Sequence, residues 1–132
     1  MTDPTARFLA EKRFAVVGAS PDRTKYGNKV LRCYLQHGRD AVPVHPKETE
    51  VEGVRAYPSL SAIPGGVGAV SVITPPAVTE KVVEEAAKLG IRHVWMQPGA
   101  ESEAAVRRAR ELSIDVIAGG PCVLVVLGFR DQ

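Results

Sequence analysis

Along this 132-residue chain, short apolar runs alternate with segments whose apolar residues recur at helical spacing. Residues 14–18 (FAVVG) are continuous, β-branched and closed by Gly, which predicts a buried strand. Residues 27–36 place Val30, Leu31, Tyr34 and Leu35 on one helical face, and Gly38 stands where that helix stops. Residues 41–45 (AVPVH) predict a second strand ended by Pro46, with Pro43 awkward for a central strand. A short third strand is expected at 54–57, then a brief turn capped by Ser59 before Pro64. Residues 69–73 (AVSVI) predict a fourth strand. Thr74 then caps a helix with prolines at its start, where a missing N–H costs least. That helix carries Val78, Val82 and Ala86 in one stripe, with Val83 and Ala87 beside it, and Gly90 ends it. A strand at 93–96 (HVWM), a helix bearing Ala105, Ala109 and Leu112, and a last strand at 115–118 (DVIA) follow. Residues 123–129 (VLVVLGF) fit a final buried strand, a helix or a dimer face, and 1–7 and 130–132 are expected as flexible ends.

Strands that alternate with helices of crossover length predict an α/β fold. The expected form is a Rossmann-like, doubly wound parallel sheet in three α/β/α layers, one domain over residues 1–132. Right-handed crossovers give the spatial order third, second, first, fourth, fifth, with the last strand beside the fifth. On such sheets a ligand sits past the carboxyl ends of the strands, where the order reverses between the first and fourth.

Composition narrows the function classes. Charged residues make up 24% and the hydrophobic set 45%, and 17 basic against 15 acidic residues leave a net charge of +2. That balance argues against nucleic acid as a partner. The chain lacks an apolar run approaching the roughly 20 residues of a membrane span. Its start has no signal-peptide core, so a cytoplasmic setting is expected. Cys33 and Cys122 form no CxxC pair and no cluster with His, so neither a disulfide framework nor a metal site is expected.

The strand ends supply the candidate chemistry. After the first strand come Gly18, Ala19 and Ser20, then Lys25, Tyr26, Gly27 and Asn28 at a helix start. Backbone N–H groups there favour an anion, and Ser20 and Lys25 add a hydroxyl and a charge. An ordinary turn with a solvated lysine is the competing reading. The second strand ends in His45, Pro46 and Lys47, not in the carboxylate that accepts ribose hydroxyls in NAD-binding domains. A cation there suits a ribose bearing an extra phosphate, as in NADP or coenzyme A. Thr74, Pro75 and Pro76 form a rigid apolar shelf, and Gln97 can bond an amide. Cys122 follows GGP at a strand end and is a candidate for thiol exchange with a ligand thiol, with an inert buried thiol as the alternative.

Taken in order, GASPDRTKYGNKVLRCYLQHG, VHPKETEVEGVRAYPSL, VITPP and HVWMQPGAESEAA resemble the stand-alone CoA-binding domain proteins. Those are small bacterial and archaeal relatives of the CoA-binding domain in the succinyl-CoA synthetase α subunit. The likeness covers roughly residues 8–122. It implies that Gly18, Ala19 and Ser20 lie against phosphate, with Lys25, Tyr26 and Asn28 completing that wall. Lys47 would meet the nucleotide phosphate side, beside Pro46 and beside His45, which stands where many relatives carry Asn in an NPK motif. Ile73, Thr74, Pro75 and Pro76 would line the pantetheine arm, and Gln97 would sit near its far end.

The likeness also implies coenzyme A or an acyl-CoA as ligand, with a homodimer or a non-covalent partner subunit as company. A synthetase needs a phosphorylated His in a second domain and a nucleotide-grasping partner. His37, His45 and His93 have no neighbouring acid in sequence that suggests a relay, and no catalytic residue is expected. The expectation is therefore a binding module, carrier or sensor. The alternatives are an NADP-dependent oxidoreductase fragment, a subunit of an acyl-CoA synthetase, and an interaction protein whose nucleotide site has decayed.

Overall fold

The computed structural model describes residues 3–131, so parts of both expected flexible ends (1, 2 and 132) lie outside the described residues. In chain order the elements are α1 (Pro4–Leu9), β1 (Arg13–Val17), α2 (Tyr26–Gln36), β2 (Asp40–Val44), β3 (Glu50–Val51) and β4 (Val54–Arg55). A 3₁₀ turn (Leu60–Ala62), β5 (Ala69–Val72), α3 (Pro76–Lys88), β6 (His93–Met96), α4 (Glu103–Glu111), β7 (Asp115–Ile117) and α5 (Val123–Leu127) complete the chain. Five strands form one parallel sheet in the order β2-β1-β5-β6-β7. This is the expected Rossmann-like α/β fold.

Period-2 alternation builds the two sides of the sheet. Ala15, Val17, Val70, Val72, Val94 and Met96 face α3 and α4. Phe14, Val16, Ala69 and Trp95 face α1, α2 and α5. On that second side Phe14 stacks on Tyr34 with ring centroids 5.0 Å apart, and Phe8 meets Trp95 edge-on at 5.3 Å. The same side carries two polar residues in this apolar layer, Ser71 and Gln97, both fully buried.

Four details depart from the sequence pattern. The expected third strand is mostly absent from the sheet: Val54–Arg55 pairs antiparallel with Glu50–Val51, and Tyr57 alone bridges to Val44. That bridge explains Pro43. Its carbonyl accepts the Tyr57 N–H at 3.1 Å, so its missing N–H faces the sparsely paired outer edge. Thr74 does not cap α3: Pro75 holds that position, and the Thr74 hydroxyl bonds the Thr79 hydroxyl at 2.8 Å. Val78, placed in the buried stripe by periodicity, is 42% exposed in the first turn of α3, whereas Val82 and Ala86 farther along are buried. Finally, Pro4–Leu9, overlapping the expected flexible end, is helical, capped by Asp3 with Pro at its start, whereas residues 123–127 take the helix that was among their expected forms.

Candidate functional site

Two glycines draw the carboxyl end of the sheet together. A Cβ on Gly18, which has φ +98°, would lie 2.0 Å from the Ile73 carbonyl oxygen. A Cβ on Gly27 would lie 1.9 Å from the Gly18 carbonyl oxygen. Only glycine at both places lets the β5 end, the β1 turn and the first turn of α2 touch. Lys25 occupies the N-cap of α2 with extended backbone, and no side chain caps that helix. Its first N–H groups therefore remain directed at whatever lies above the loop.

The 19–25 loop is ordered by its own polar groups. The Ser20 hydroxyl accepts the Asp22 N–H at 3.1 Å, and Asp22 accepts from the Thr24 N–H at 2.9 Å and hydroxyl at 2.7 Å. Those two bonds hold the Asp22 carboxyl below its usual range. Lys25 is exposed. At the end of β2, His45 Nδ1 accepts the N–H groups of Lys47 at 3.0 Å and Glu48 at 2.9 Å, and the Lys47 side chain stands exposed.

Between these ends lies a crevice of about 410 Å³, walled by Gly18, Ala19, Val44, His45, Pro46, Pro58, Thr74 and Val78. It gathers Gly18, Ala19, His45, Pro46 and Thr74 of the expected site, with Ile73 adjoining through its contact with Gly18. Pro75 and Pro76 are exposed at its rim. Glu85 also reaches this crevice, but one of its oxygens is engaged by the Ser61 N–H and hydroxyl. A larger cavity, about 980 Å³, opens between α4 and the edge strand β7 and includes none of the expected residues.

Two expected contact residues are placed differently. Asn28 is fully buried, donating to the Ser20 carbonyl at 2.8 Å and to Glu52 Oε2 at 3.0 Å. Gln97 is also fully buried; its Oε1 accepts the Val123 N–H at 3.0 Å and lies 3.3 Å from the Tyr26 hydroxyl. Neither side chain lines the crevice. The Tyr26 hydroxyl lies 2.6 Å from Cys122 Sγ, and Sγ accepts the Leu124 N–H at 3.3 Å. Burial, then the neighbouring thiol, pushes the Tyr26 phenol far up, so it stays protonated. Cys122 is half-buried, whereas Cys33 is fully buried and its thiol is pushed up to about 11, chiefly by burial.

Sequence reasoning missed Arg32, Glu52, Ser71 and Tyr34. Arg32 binds Asn28 Oδ1 at 2.6 Å, and the Tyr34 hydroxyl meets Ser71 Oγ at 2.5 Å. One signal was present: Asn28 and Arg32 are four apart on a helix, the spacing at which side chains meet. Glu52 at the hairpin tip, with φ +52°, gave no signal before the hairpin itself was known.

Comparison with known proteins adds the following. A family model described as CoA binding domain matches residues 12–128. The α subunit of an ADP-forming acetate–CoA ligase II from Pyrococcus furiosus is 30% identical over 105 residues, 79% of this chain but 23% of that subunit. The uncharacterized protein YneT of Bacillus subtilis is 34% identical over 108 residues, covering 80% of this chain and 78% of YneT. A solved structure of a hypothetical protein from Pyrococcus horikoshii OT3 superposes with a TM-score of 0.87 at 34% identity, over 95% of this chain and 89% of that one. The chain thus matches small proteins nearly end to end and spans about a quarter of the ligase subunit.

Proposed function

The chain belongs to the CoA-binding domain family, and from that premise we propose that it binds coenzyme A or an acyl-CoA across the carboxyl ends of β1, β2 and β5. The observation that carries this reading is the Gly18–Gly27 approach, which brings a helix start without a side-chain cap to the mouth of an apolar crevice. Phosphate oxygens would take N–H groups at the 18–20 turn and the first turn of α2, with Lys25 as counter-charge. The flat walls of Pro46, Pro58 and Val78 suit an aromatic base or an aliphatic arm. Lys47, on a strand end without a carboxylate, suits the extra ribose phosphate. The residues present fit the group.

The role proposed is that of a binding module, carrier or sensor, in keeping with a family described as a CoA binding domain. The acetate–CoA ligase relatives support a second setting, in which the domain serves as the CoA-holding part of a ligase with a partner subunit. A partner or a second copy would cover α5, where Val125 is 78% exposed. A cytoplasmic home agrees with two unpaired cysteines. Among the described residues no helix is long and apolar enough to cross a membrane.

Two-dimensional NMR of the labelled protein with added CoA tests the placement. Shifts are expected at residues 18–20, 25–27, 45–47 and 73–76. Shifts confined to the α4–β7 cavity would overturn the assignment.

A further inference from the structure

The proposed phosphate contacts rest on the 19–25 loop and the start of α2, and leave unexplained two polar side chains buried in that helix. Asn28 is 0% and Arg32 5% exposed, one turn apart in α2. Burying such groups is costly unless each is bonded. Asn28 spends its amide hydrogens on distant segments: the Ser20 carbonyl on the near limb of the 19–25 loop, and Glu52 at the hairpin tip. Arg32 Nε donates to Asn28 Oδ1 at 2.6 Å, which fixes the orientation of that amide. Arg32 Nη2 donates to the Arg23 carbonyl at 2.9 Å, on the far limb of the same loop. Arg32 Nη1 donates to Asp131 Oδ1 at 3.1 Å, and the guanidinium lies 5.0 Å from the centre of the Phe129 ring. Residues 128–131 are themselves seated on α2. Gln36 exchanges two bonds with the Arg130 backbone at 2.5 and 3.0 Å, and His37 Nε2 lies 2.9 Å from the Gly128 carbonyl oxygen.

We propose that Asn28 and Arg32 are positioning residues for the 19–25 loop, and that Arg32 transmits to this loop the seating of segment 128–131. A planar guanidinium with a fixed fork suits this task, since one rigid group meets the loop, the Asn28 amide and the Asp131 side-chain carboxylate at once. The consequence for ligand rests on the CoA reading. A loop already held in its phosphate-facing shape avoids the ordering cost of binding. Affinity would then depend on residues that touch no ligand.

Amide hydrogen exchange on the full chain decides it, with Arg32→Met, Asp131→Ala and, as control, Glu84→Gln. Glu84 pairs with Arg108 on an exposed surface remote from the loop. Arg32→Met is expected to speed exchange of the 20–25 amides by about tenfold while β5 and β6 stay protected. Asp131→Ala is expected to speed the same amides by about threefold, and the control to change nothing there. Asp131 is exposed, so this variant decides the matter even if Arg32→Met does not fold. Unchanged loop exchange in Asp131→Ala would overturn the transmission. Uniform acceleration in Arg32→Met would reduce Arg32 to a stability residue and overturn the positioning. Exchange needs no ligand. Absent CoA binding with the expected exchange pattern would therefore sink the CoA reading alone, whereas CoA binding with a flat pattern would sink this proposal alone.

Discussion

At the end of β2 the His45 ring accepts the N–H groups two and three residues ahead. An Asn carboxamide makes the same kind of bond to its own backbone in a turn. His45 thus supplies the acceptor that shapes the 45–48 turn, on which Lys47 stands exposed. A charge-assisted contact from Lys47 to a ribose phosphate should make Lys47→Ala bind CoA about tenfold more weakly than the parent. The loss should vanish when dephospho-CoA is titrated, because the contacted group is then missing. An equal loss with both ligands would place Lys47 elsewhere. The two thiols divide as sharply. Cys33, pushed up to about 11, stays a thiol at neutral pH. An aromatic disulfide reagent should therefore modify one cysteine quickly in the native protein, and Cys122→Ser should abolish that fast phase. Rapid labelling of Cys33 would contradict its burial on the face of α2 that meets α5.

Elements meet here by close approach and by capping, and both were only half legible in the sequence. Gly18 and Gly27 stood out as turn residues, but their contact with each other, through the Gly18 carbonyl, appears only once β1, α2 and β5 are placed. Gly27→Ala should lower stability by about 3 kcal/mol, measured by denaturant unfolding, and should abolish CoA binding even where the variant folds. Stability within about 0.5 kcal/mol of the parent would mean that α2 sits farther from β1. The helix Pro4–Leu9 escaped the pattern because six residues carry too little periodicity to register. What holds it is tertiary: Phe8 buried against Trp95, and Arg7 Nε donating to Asp115 at 2.7 Å. Hydrogen bonding and then charge attraction from Arg7 depress the Asp115 carboxyl below its ordinary 3.8. A depressed carboxylate contributes stability above its unfolded value and loses it as pH falls through the folded one. The Tm gap between the parent and Asp115→Asn should therefore be full at neutral pH and close below pH 3.8. A gap that persists in acid would show that the pair holds α1 by shape and not by charge.

The whole molecule was legible in outline because its strands are near-continuous apolar runs buried on both faces, punctuated by Gly and Pro. The third strand was not. Residues 54–57 have strand composition, yet a tight hairpin at Glu52 and Gly53 captures Val54–Arg55, and only Tyr57 reaches β2. Local turn chemistry won over sheet extension. The site followed the same rule. The strand-end positions of Gly18, Ala19, Lys25 and Lys47, which the proposed site uses, could be read from the order of elements alone. Asn28 and Gln97 were expected at that same end of the sheet, and the structure buries both side chains fully. Burial of a polar side chain depends on partners far along the chain, here Glu52 and Val123. For the molecule as a whole, an anion cradle without a ribose-binding carboxylate is what marks the proposed CoA site.

Calorimetric titration of the purified full chain with CoA and, side by side, NADP at fixed salt tests that claim most directly. The account predicts a one-to-one isotherm with CoA and none with NADP at the same concentrations. Binding of NADP without CoA would contradict it and turn attention to a nicotinamide substrate.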